Sequence, residues 1–257
     1  MSKKIKEILR KKNKTKIVSL TAYSKNVAKI LDKHCDIILV GDSVATAFYG
    51  MKNTRLISFE TIINHSISVS KAIKKSTLVI DMPFKTYRNY SLAKKNVKKI
   101  FKKTNCDAIK IESNGKNSSI IAKLVKSGYP VMGHIGFTPQ FKKKFQPQGM
   151  SLKDEKKLIV ESLKIEKAGA FSLVLECVSE SVAKKITKIL RIPTIGIGSS
   201  KFCDGQILVT DDLIGISGFY PKFVKKYLNL DNILNKAIKR FKQDVIKNRF
   251  PKKINAY

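Results

Sequence analysis

Short apolar runs that end in a polar residue recur along this chain. The clearest is DIILVGDS at 36–43, in which an apolar run leads into Gly41, Asp42 and Ser43. Four later runs end in the same way: TLVIDMP at Asp81, AIKIES at Glu112, PVMGHIG at His134 and LVLEC at Glu176. Continuous apolar runs of this length are typical of strands buried on both faces, as in parallel sheets. The pattern therefore predicts a parallel sheet whose strand ends carry polar side chains.

Helical patterns separate these runs. Apolar residues three or four positions apart mark the helices, for example Val27, Ile30 and Leu31 after a candidate N-cap at Ser24. The predicted helices are 3–13, 24–33, 59–73, 91–103, 118–126, 152–168, 179–190 and 230–247. The predicted strands are 17–23, 36–43, 76–83, 106–113, 128–136, 170–178 and 192–198, with a less marked eighth at 206–212. Only a short segment separates the last two strands, which is less than a parallel crossover usually needs.

This alternation predicts an α/β fold, either a closed barrel or an open doubly wound sheet. A (β/α)8 or TIM barrel takes about 250 residues, and this chain has 257. An open sheet binds at one switch point, whereas polar residues end at least five strands here. We therefore predict a single (β/α)8 barrel domain over 1–257, with a basic N-terminal helix in 1–16 and a C-terminal helical extension over 228–257.

Two further segments carry specific expectations. Residues 137–150 are rich in Pro, Gln, Gly and Phe, which predicts an irregular lid or binding loop. The last helix has apolar residues on one side, which we expect to be buried. These residues are Ile233, Leu234, Ile238, Phe241 and Val245.

The charge balance is strongly basic, with 52 Lys+Arg against 19 Asp+Glu and a formal net charge of +33. Such an excess suggests a nucleic-acid or anionic-membrane partner. The lysines, however, are spread over helical runs such as 93–103 and 235–247, with apolar residues between them, as on a solvated surface. We expect no specific nucleic-acid partner and no membrane partner. A drifted protein that binds RNA or other anions stays open as an alternative.

Cysteine spacing and hydropathy bear on the compartment. The four cysteines lie far apart, with no CxxC pair and no zinc-finger spacing. The basic N-terminus lacks the apolar core of a secretion signal, and no apolar run approaches about 18 residues. These features predict a reduced, cytoplasmic protein.

The polar residues at the strand ends predict one shared site. Side chains alternate faces along a strand, so Asp42 shares a face with Ile38 and Val40, and Asp81 shares one with Val79. If those apolar residues point into the barrel, the polar ones emerge at its rim. The predicted site comprises Asp42, Asp81, Lys110, Glu112, His134 and Glu176.

Several carboxylates in one place repel each other and raise one another's pKa unless a cation lies among them. Oxygen ligands without cysteine or paired histidine suit a hard ion, for which Mg²⁺ is the default. Such an ion would polarise a substrate carbonyl. Each residue also has an ordinary structural interpretation: an aspartate after a strand as a cap, His134 as a core histidine, and Lys110 as a partner of Glu112.

At these residues the sequence resembles the ketopantoate hydroxymethyltransferase family. The resemblance runs from about residue 21 to residue 227 through the ordered blocks TAY, LVGDS, DMPF, IKIE, PVMGHIGFTPQ, AGAF, IPTIGIG, CDGQILV and PKFVKKY. It implies a (β/α)8 barrel that forms a homo-oligomer, commonly a decamer of two pentameric rings. It also implies a transferase of pantothenate biosynthesis that moves a hydroxymethyl group from 5,10-methylenetetrahydrofolate to 3-methyl-2-oxobutanoate.

The resemblance also implies a role for each site residue. Mg²⁺ would be held, directly or through water, by Asp42, Asp81 and Glu112. The 2-oxo acid would be bound by Asp42, Ser43, Asp81, Lys110 and His134, and Glu176 would be the proton acceptor. The folate is a cosubstrate rather than a resident cofactor, and no residue is assigned to it.

The chain departs from the family pattern at three places: Val44 to Thr46, Ser179, and Ser199 with Ser200. The family usually has glycine at 200, so a turn that needs a positive φ there would be strained. A second enzymatic alternative also stays open. It is another Mg²⁺-dependent barrel that makes or breaks C–C bonds beside a 2-oxo acid, of the phosphoenolpyruvate mutase and isocitrate lyase type.

Overall fold

The computed structural model describes residues 2–142, 144–218 and 220–257. Its strands are β1 Ile17–Thr21, β2 Ile37–Val40, β3 Thr77–Asp81, β4 Ala108–Glu112, β5 Val131–Gly136, β6 Ser172–Glu176, β7 Thr194–Ile197 and β8 Gly205–Leu208. They are hydrogen-bonded in chain order, all parallel, and β8 pairs with β1 to close a barrel. The predicted (β/α)8 barrel fold is confirmed.

One helix precedes β1, and the other helices lie between strands or follow β8. The helices are α1 Lys3–Arg10, α2 Lys25–Leu31, α3 Val44–Ala47, α4 Phe59–Ser70, α5 Tyr90–Thr104, α6 Ser118–Lys126, α7 Leu152–Lys167, α8 Glu180–Ile189, α9 Thr210–Ile214 and α10 Leu230–Ile246. Ser24 caps α2 as predicted, since its side chain accepts a hydrogen bond from the Val27 backbone N–H.

The eighth strand is confirmed, but it is shorter than predicted. Its extension through residues 210–212 is wrong, because Thr210 begins α9 and its hydroxyl donates to the Thr21 carbonyl oxygen instead. The short connection from β7 is held by the buried Asp204. Its carboxylate accepts from the Thr194 N–H at 2.9 Å and from Lys12 Nζ at 2.8 Å. One side chain therefore joins β7, β8 and the segment after α1, in place of a crossover helix.

Helix α1 covers the N-terminal end of the barrel. Its Ile5 and Ile8 are buried with Ile37 and Leu39 of β2 in the barrel interior. Ile38 and Val40, on the opposite face of β2, pack instead in the layer between strands and helices. The predicted inward orientation of Ile38 and Val40 is therefore wrong.

Strand β3 follows the predicted alternation, because Val79 lies in the interior cluster and Asp81 shares its parity. Strand β2 differs because it ends at Val40, so the face of Asp42 is set by the turn and not by the strand. Within this turn, a Cβ at Gly41 would lie 2.8 Å from Ser43 Oγ.

The chain divides into two compact units, Met1–Thr210 and Asp211–Tyr257. In the second unit, no residue of α10 is buried. The expected buried side is wrong, since Ile233, Leu234, Ile238, Phe241 and Val245 are all exposed. Within the described part of this unit, short helical turns and loops accompany α10, and they leave its apolar side exposed.

The remaining expectations concern cysteines, membrane spans and the long loop. All four cysteines are free and buried. Among the residues described, none of the helices combines the length and apolarity that a bilayer crossing requires. Residues 137–150 form an irregular loop, apart from one bridge of Gln148 to Val178 and with Lys143 outside the described residues.

Candidate active site

The registers of neighbouring strands bring the predicted site residues together. Asp81 of β3 is paired with Lys110 of β4, and Glu112 of β4 with His134 of β5. In the next pair, Gly136 of β5 lies beside Glu176 of β6. Because these strands are parallel, their C-terminal ends meet at one rim of the barrel. Sequence positions far apart thereby form one cluster.

A buried ion pair occupies the centre of the cluster. Lys110 Nζ donates to Asp81 Oδ2 at 2.6 Å, with side-chain exposures of 6% and 1%. The predicted simple pairing of Lys110 with Glu112 is therefore replaced by one with Asp81. The other carboxylate oxygen, Asp81 Oδ1, is buried and has no hydrogen-bond partner. An unpaired buried carboxylate oxygen is costly unless a ligand or ion meets it.

His134 lies between two carboxyl groups. Its Nδ1 is 3.7 Å from Glu112 Oε1 and its Nε2 is 3.2 Å from Glu176 Oε2. Neither of these contacts is a well-formed hydrogen bond. Burial, reinforced by the positive charge of Lys110, holds the pKa of His134 well below its usual value. The lowered pKa favours the neutral imidazole.

Asp42 reaches the cluster from the turn after β2. Its backbone N–H donates to Asp81 Oδ2 at 3.2 Å, and its own carboxylate accepts a hydrogen bond from Gln140 Nε2 at 2.8 Å. Burial and the neighbouring charge of Asp81 raise the pKa of Asp42 to about 7. Ser43 follows it, and its hydroxyl is hydrogen-bonded to the Tyr23 hydroxyl at 2.8 Å.

Glu112 is the most enclosed of the carboxyl groups beside the histidine. Burial, and then the charge of Asp42, raise the pKa of Glu112 well above its ordinary value. Its Oε2 accepts a hydrogen bond from the backbone N–H of Gln140 at 3.0 Å. Gln140 thus contacts both Glu112 and Asp42, although no role was predicted for it. The only signal was its place in the block PVMGHIGFTPQ.

Glu176 has a different environment. Its side chain is 17% exposed, whereas those of Asp81 and Glu112 are 1% exposed. Burial raises the pKa of Glu176 to about 8. A carboxyl group with a pKa near neutrality and access to the open end of the barrel can accept a proton from a bound molecule.

Gly136 determines where the Glu176 backbone lies. It has φ of +97°, and a Cβ there would lie 2.2 Å from the Glu176 carbonyl oxygen, which also accepts the Phe137 N–H. We expect Gly136→Ala to lower the free energy of unfolding by about 1–3 kcal/mol for the unfavourable φ alone, and by more because of the clash. Urea denaturation measures this loss.

Gly128→Ala is the matched control, because Gly128 has a similar φ of +88° but would have no atom within 4 Å of its Cβ. Equal losses in the two variants would show that the contact with Glu176 has no effect. A larger loss in Gly136→Ala would confirm it.

The donor set suits a hard cation that keeps part of its water. Among residues 2–142, 144–218 and 220–257, no three His, Cys, Asp or Glu side chains are arranged to ligate one ion directly. The carboxylates of Asp42, Asp81 and Glu112 nevertheless converge, and Asp81 Oδ1 is unpaired. Mg²⁺ characteristically binds through one or two carboxylates and several waters. The residues therefore fit a hydrated Mg²⁺.

Three residues that differ from the family pattern, Ser179, Ser199 and Ser200, are accommodated by hydrogen bonds. Ser200 has no positive φ, so the expected strain is absent, and Gly198 makes the turn with φ of +56°. The Ser200 hydroxyl accepts the Phe202 N–H at 3.1 Å. The hydroxyls of Ser199 and Ser179 donate to the carbonyl oxygens of Val178 and Gly149.

Comparison with known proteins places these observations in a family. A sequence model of the family described as ketopantoate hydroxymethyltransferase matches residues 2–253. The 3-methyl-2-oxobutanoate hydroxymethyltransferase of Pelagibacter ubique (strain HTCC1062) is 50% identical over 257 residues, which is 100% of both chains. That of Thermosipho africanus (strain TCF52B) is 45% identical over 260 residues, covering 98% of this chain and 97% of the relative.

Solved structures share the fold at low identity. A phosphonopyruvate hydrolase in complex with oxalate and Mg²⁺ has a TM-score of 0.64 and 11% identity, with 99% of this chain and 93% of that one covered. A 2,3-dimethylmalate lyase of the phosphoenolpyruvate mutase/isocitrate lyase superfamily has a TM-score of 0.62 and 12% identity, with 95% and 99% covered. At these identities the likeness concerns the barrel alone.

Proposed function

The chain belongs to the ketopantoate hydroxymethyltransferase family, and from that premise we propose the reaction that it catalyses. It transfers a hydroxymethyl group from 5,10-methylenetetrahydrofolate to 3-methyl-2-oxobutanoate in pantothenate biosynthesis. With one water consumed, the products are 2-dehydropantoate and tetrahydrofolate. The observation that carries this proposal is the joined cluster at the ends of β3 to β6, from the Asp81–Lys110 ion pair to the contact of His134 with Glu176.

The substrate is an anion with two adjacent oxygen-bearing carbons. Lys110 supplies the buried positive charge nearest to Asp81, and the basic chain as a whole attracts anions. Asp42, Asp81 and Glu112 would hold Mg²⁺, in part through water, and Ser43 would contact the 2-oxo acid beside them. When bound, Mg²⁺ would polarise the keto oxygen and stabilise the negative charge that develops as the C3 proton leaves.

Glu176 is the proposed general base. It is the more exposed carboxyl group, and its raised pKa matches the transfer of a carbon-bound proton near neutral pH. His134, neutral and 3.2 Å from Glu176 Oε2, would lie against the substrate and limit the orientations of that carboxyl group. Once C3 has lost its proton, it forms the new bond to the one-carbon unit, and both bonds from that carbon to the folate nitrogens break. The water consumed supplies the hydroxyl oxygen, and the two folate nitrogens take up protons to give tetrahydrofolate.

Proton loss and carbon transfer can be tested separately. We expect 3-methyl-2-oxobutanoate to bind by calorimetry when Mg²⁺ is present and to lose most of its affinity when the metal is chelated. In deuterated water without folate, its C3 proton should exchange, as followed by NMR. 3,3-Dimethyl-2-oxobutanoate has no C3 proton, so it should bind without exchange or reaction.

Product analysis with and without 5,10-methylenetetrahydrofolate then separates this activity from that of a 2-oxo acid lyase. A hydroxymethyltransferase forms 2-dehydropantoate only with the folate, whereas a lyase acts without it. Binding that is indifferent to the metal, or product formed without folate, would contradict the proposal.

We also propose that the chain works as a single barrel domain with its C-terminal extension, as a cytoplasmic homo-oligomer. Family membership supports assembly, with a decamer as the expected size. Light scattering of the purified chain measures the mass, and a monomer at micromolar concentration would oppose this part of the proposal.

A further inference from the structure

The carboxamide of Gln140 uses its hydrogen-bonding groups on three partners. The residue is 1% exposed. Its Nε2 donates to Asp42 Oδ2 at 2.8 Å and to the Met82 carbonyl oxygen at 3.0 Å. Its Oε1 accepts a hydrogen bond from the Tyr87 hydroxyl at 2.5 Å. Both N–H groups and the oxygen of the amide are therefore engaged.

Only one orientation of the amide satisfies these partners. Rotating it by half a turn would bring Oε1 against Asp42 Oδ2 and the Met82 carbonyl oxygen, with no hydrogen between the acceptors. The Tyr87 hydroxyl stabilises the observed orientation because it donates to Oε1. The N–H that faces Asp42 is thus held in place before any ligand arrives.

The backbone of the same residue holds a second carboxylate. The Gln140 N–H donates to Glu112 Oε2 at 3.0 Å. Asp42 follows β2 and Glu112 ends β4, so the two carboxylates come from strands separated by β3. Gln140 bridges them across the end of β3, where it also binds Met82. Its loop is held to the barrel by Lys142 Nζ, which donates to the Gly136 carbonyl oxygen at 2.7 Å.

We infer that Gln140 is a positioning residue for the cation site: its side chain orients Asp42 and its backbone orients Glu112, so that both carboxylates face the same cation. This inference rests on the proposed Mg²⁺-dependent function. Hydrogen bonds to the ligands of a metal commonly change metal affinity or activity by about 10- to 100-fold when they are removed. Gln140 donates hydrogen bonds of this kind to two candidate Mg²⁺ ligands, Asp42 and Glu112.

Gln140→Met tests the side chain, because methionine has similar length but cannot hydrogen-bond to Asp42 or Tyr87 in this way. We expect Mg²⁺ alone, titrated by calorimetry, to bind this variant about 10- to 100-fold more weakly than the wild type. KM for the 2-oxo acid should rise at low Mg²⁺ and recover at saturating Mg²⁺, with kcat largely restored. A side chain that only supports the loop would instead lower the melting temperature and leave Mg²⁺ affinity unchanged.

Gln146→Met is the matched control, since Gln146 lies on the same loop and is exposed. It should leave Mg²⁺ affinity at the wild-type value.

Tyr87→Phe provides a second test if Gln140→Met does not fold, because it keeps Gln140 but removes the hydrogen-bond donor that sets the orientation of its amide. Tyr87→Phe should weaken Mg²⁺ binding less than Gln140→Met, and the double variant should bind no more weakly than Gln140→Met alone.

The outcomes for the two proposals are distinct. If the wild type binds neither Mg²⁺ nor the 2-oxo acid, the proposed function fails first. If the wild type binds both and folded Gln140→Met or Tyr87→Phe binds Mg²⁺ equally well, the positioning role of Gln140 is refuted while the proposed function stands.

Discussion

Glu176→Gln is expected to slow exchange of the C3 proton of 3-methyl-2-oxobutanoate by about 10²- to 10⁴-fold, which raises the barrier by about 3–5 kcal/mol. The amide has nearly the shape of the carboxyl group but cannot take up the proton. Glu176 is not one of the proposed Mg²⁺ ligands, so binding of Mg²⁺ and the 2-oxo acid should persist. NMR in deuterated water measures the exchange, and calorimetry measures the binding.

The pH dependence of the exchange rate provides a second test of Glu176. Because the pKa of Glu176 is raised to about 8, the wild-type exchange rate should rise as the pH increases and the carboxyl group loses its proton. This rise should be absent in Glu176→Gln. The matched control is Glu180→Gln, at an exposed glutamate in the first turn of α8, which should exchange at the wild-type rate. Near-normal exchange in Glu176→Gln would remove Glu176 from the role of base.

Asp81→Asn is expected to affect stability and binding together. The change leaves the Lys110 ammonium buried without its carboxylate partner at 2.6 Å. Breaking a buried ion pair by removing one partner typically costs about 3–5 kcal/mol, because the remaining charge stays unpaired. Urea denaturation should show this loss, and calorimetry on the folded fraction should show that Mg²⁺-dependent binding of the 2-oxo acid is gone.

A double variant separates the two effects. Asp81→Leu combined with Lys110→Met removes both charges, so most of the lost stability should return, as it often does when a buried ion pair is replaced by apolar residues. Binding should not return. Asp231→Asn is the control, because it removes a carboxylate from an exposed position and should change neither stability nor binding. Wild-type binding by Asp81→Asn would exclude Asp81 from the site.

Much of this architecture is readable from the sequence because the signals are local. Apolar runs such as Ile37–Val40 identify their strands through burial on both faces, and the number of strand–helix units indicates a barrel. A polar residue that directly ends a strand, such as Asp81 or Glu112, must then lie at the rim. The candidate carboxylates, lysine and histidine were therefore predictable once parallel strands were assumed.

Other features depend on contacts between distant residues. Alternation of side chains along β2, counted back from Asp42, predicts the wrong face for Ile38 and Val40. The strand ends at Val40, so Asp42 lies in the following turn and its direction does not follow the alternation of the strand. The eighth strand ends early because Thr210 bonds to Thr21, which lies far away in the sequence. The apolar side of α10 obeys helical periodicity, yet periodicity cannot state whether another surface covers it.

Whether a feature could be predicted from the sequence depends on how far apart in the chain the interacting residues are. Strand identity, barrel class and the chemical types at the rim are set by residues within a few positions of one another, so the amino-acid sequence alone determines them. Which groups meet is set by register across neighbouring strands and by loops that return to the rim. Only the folded chain therefore pairs Lys110 with Asp81 instead of Glu112. Only the folded chain brings Gln140 against both Asp42 and Glu112, because those hydrogen bonds join segments that no local pattern relates.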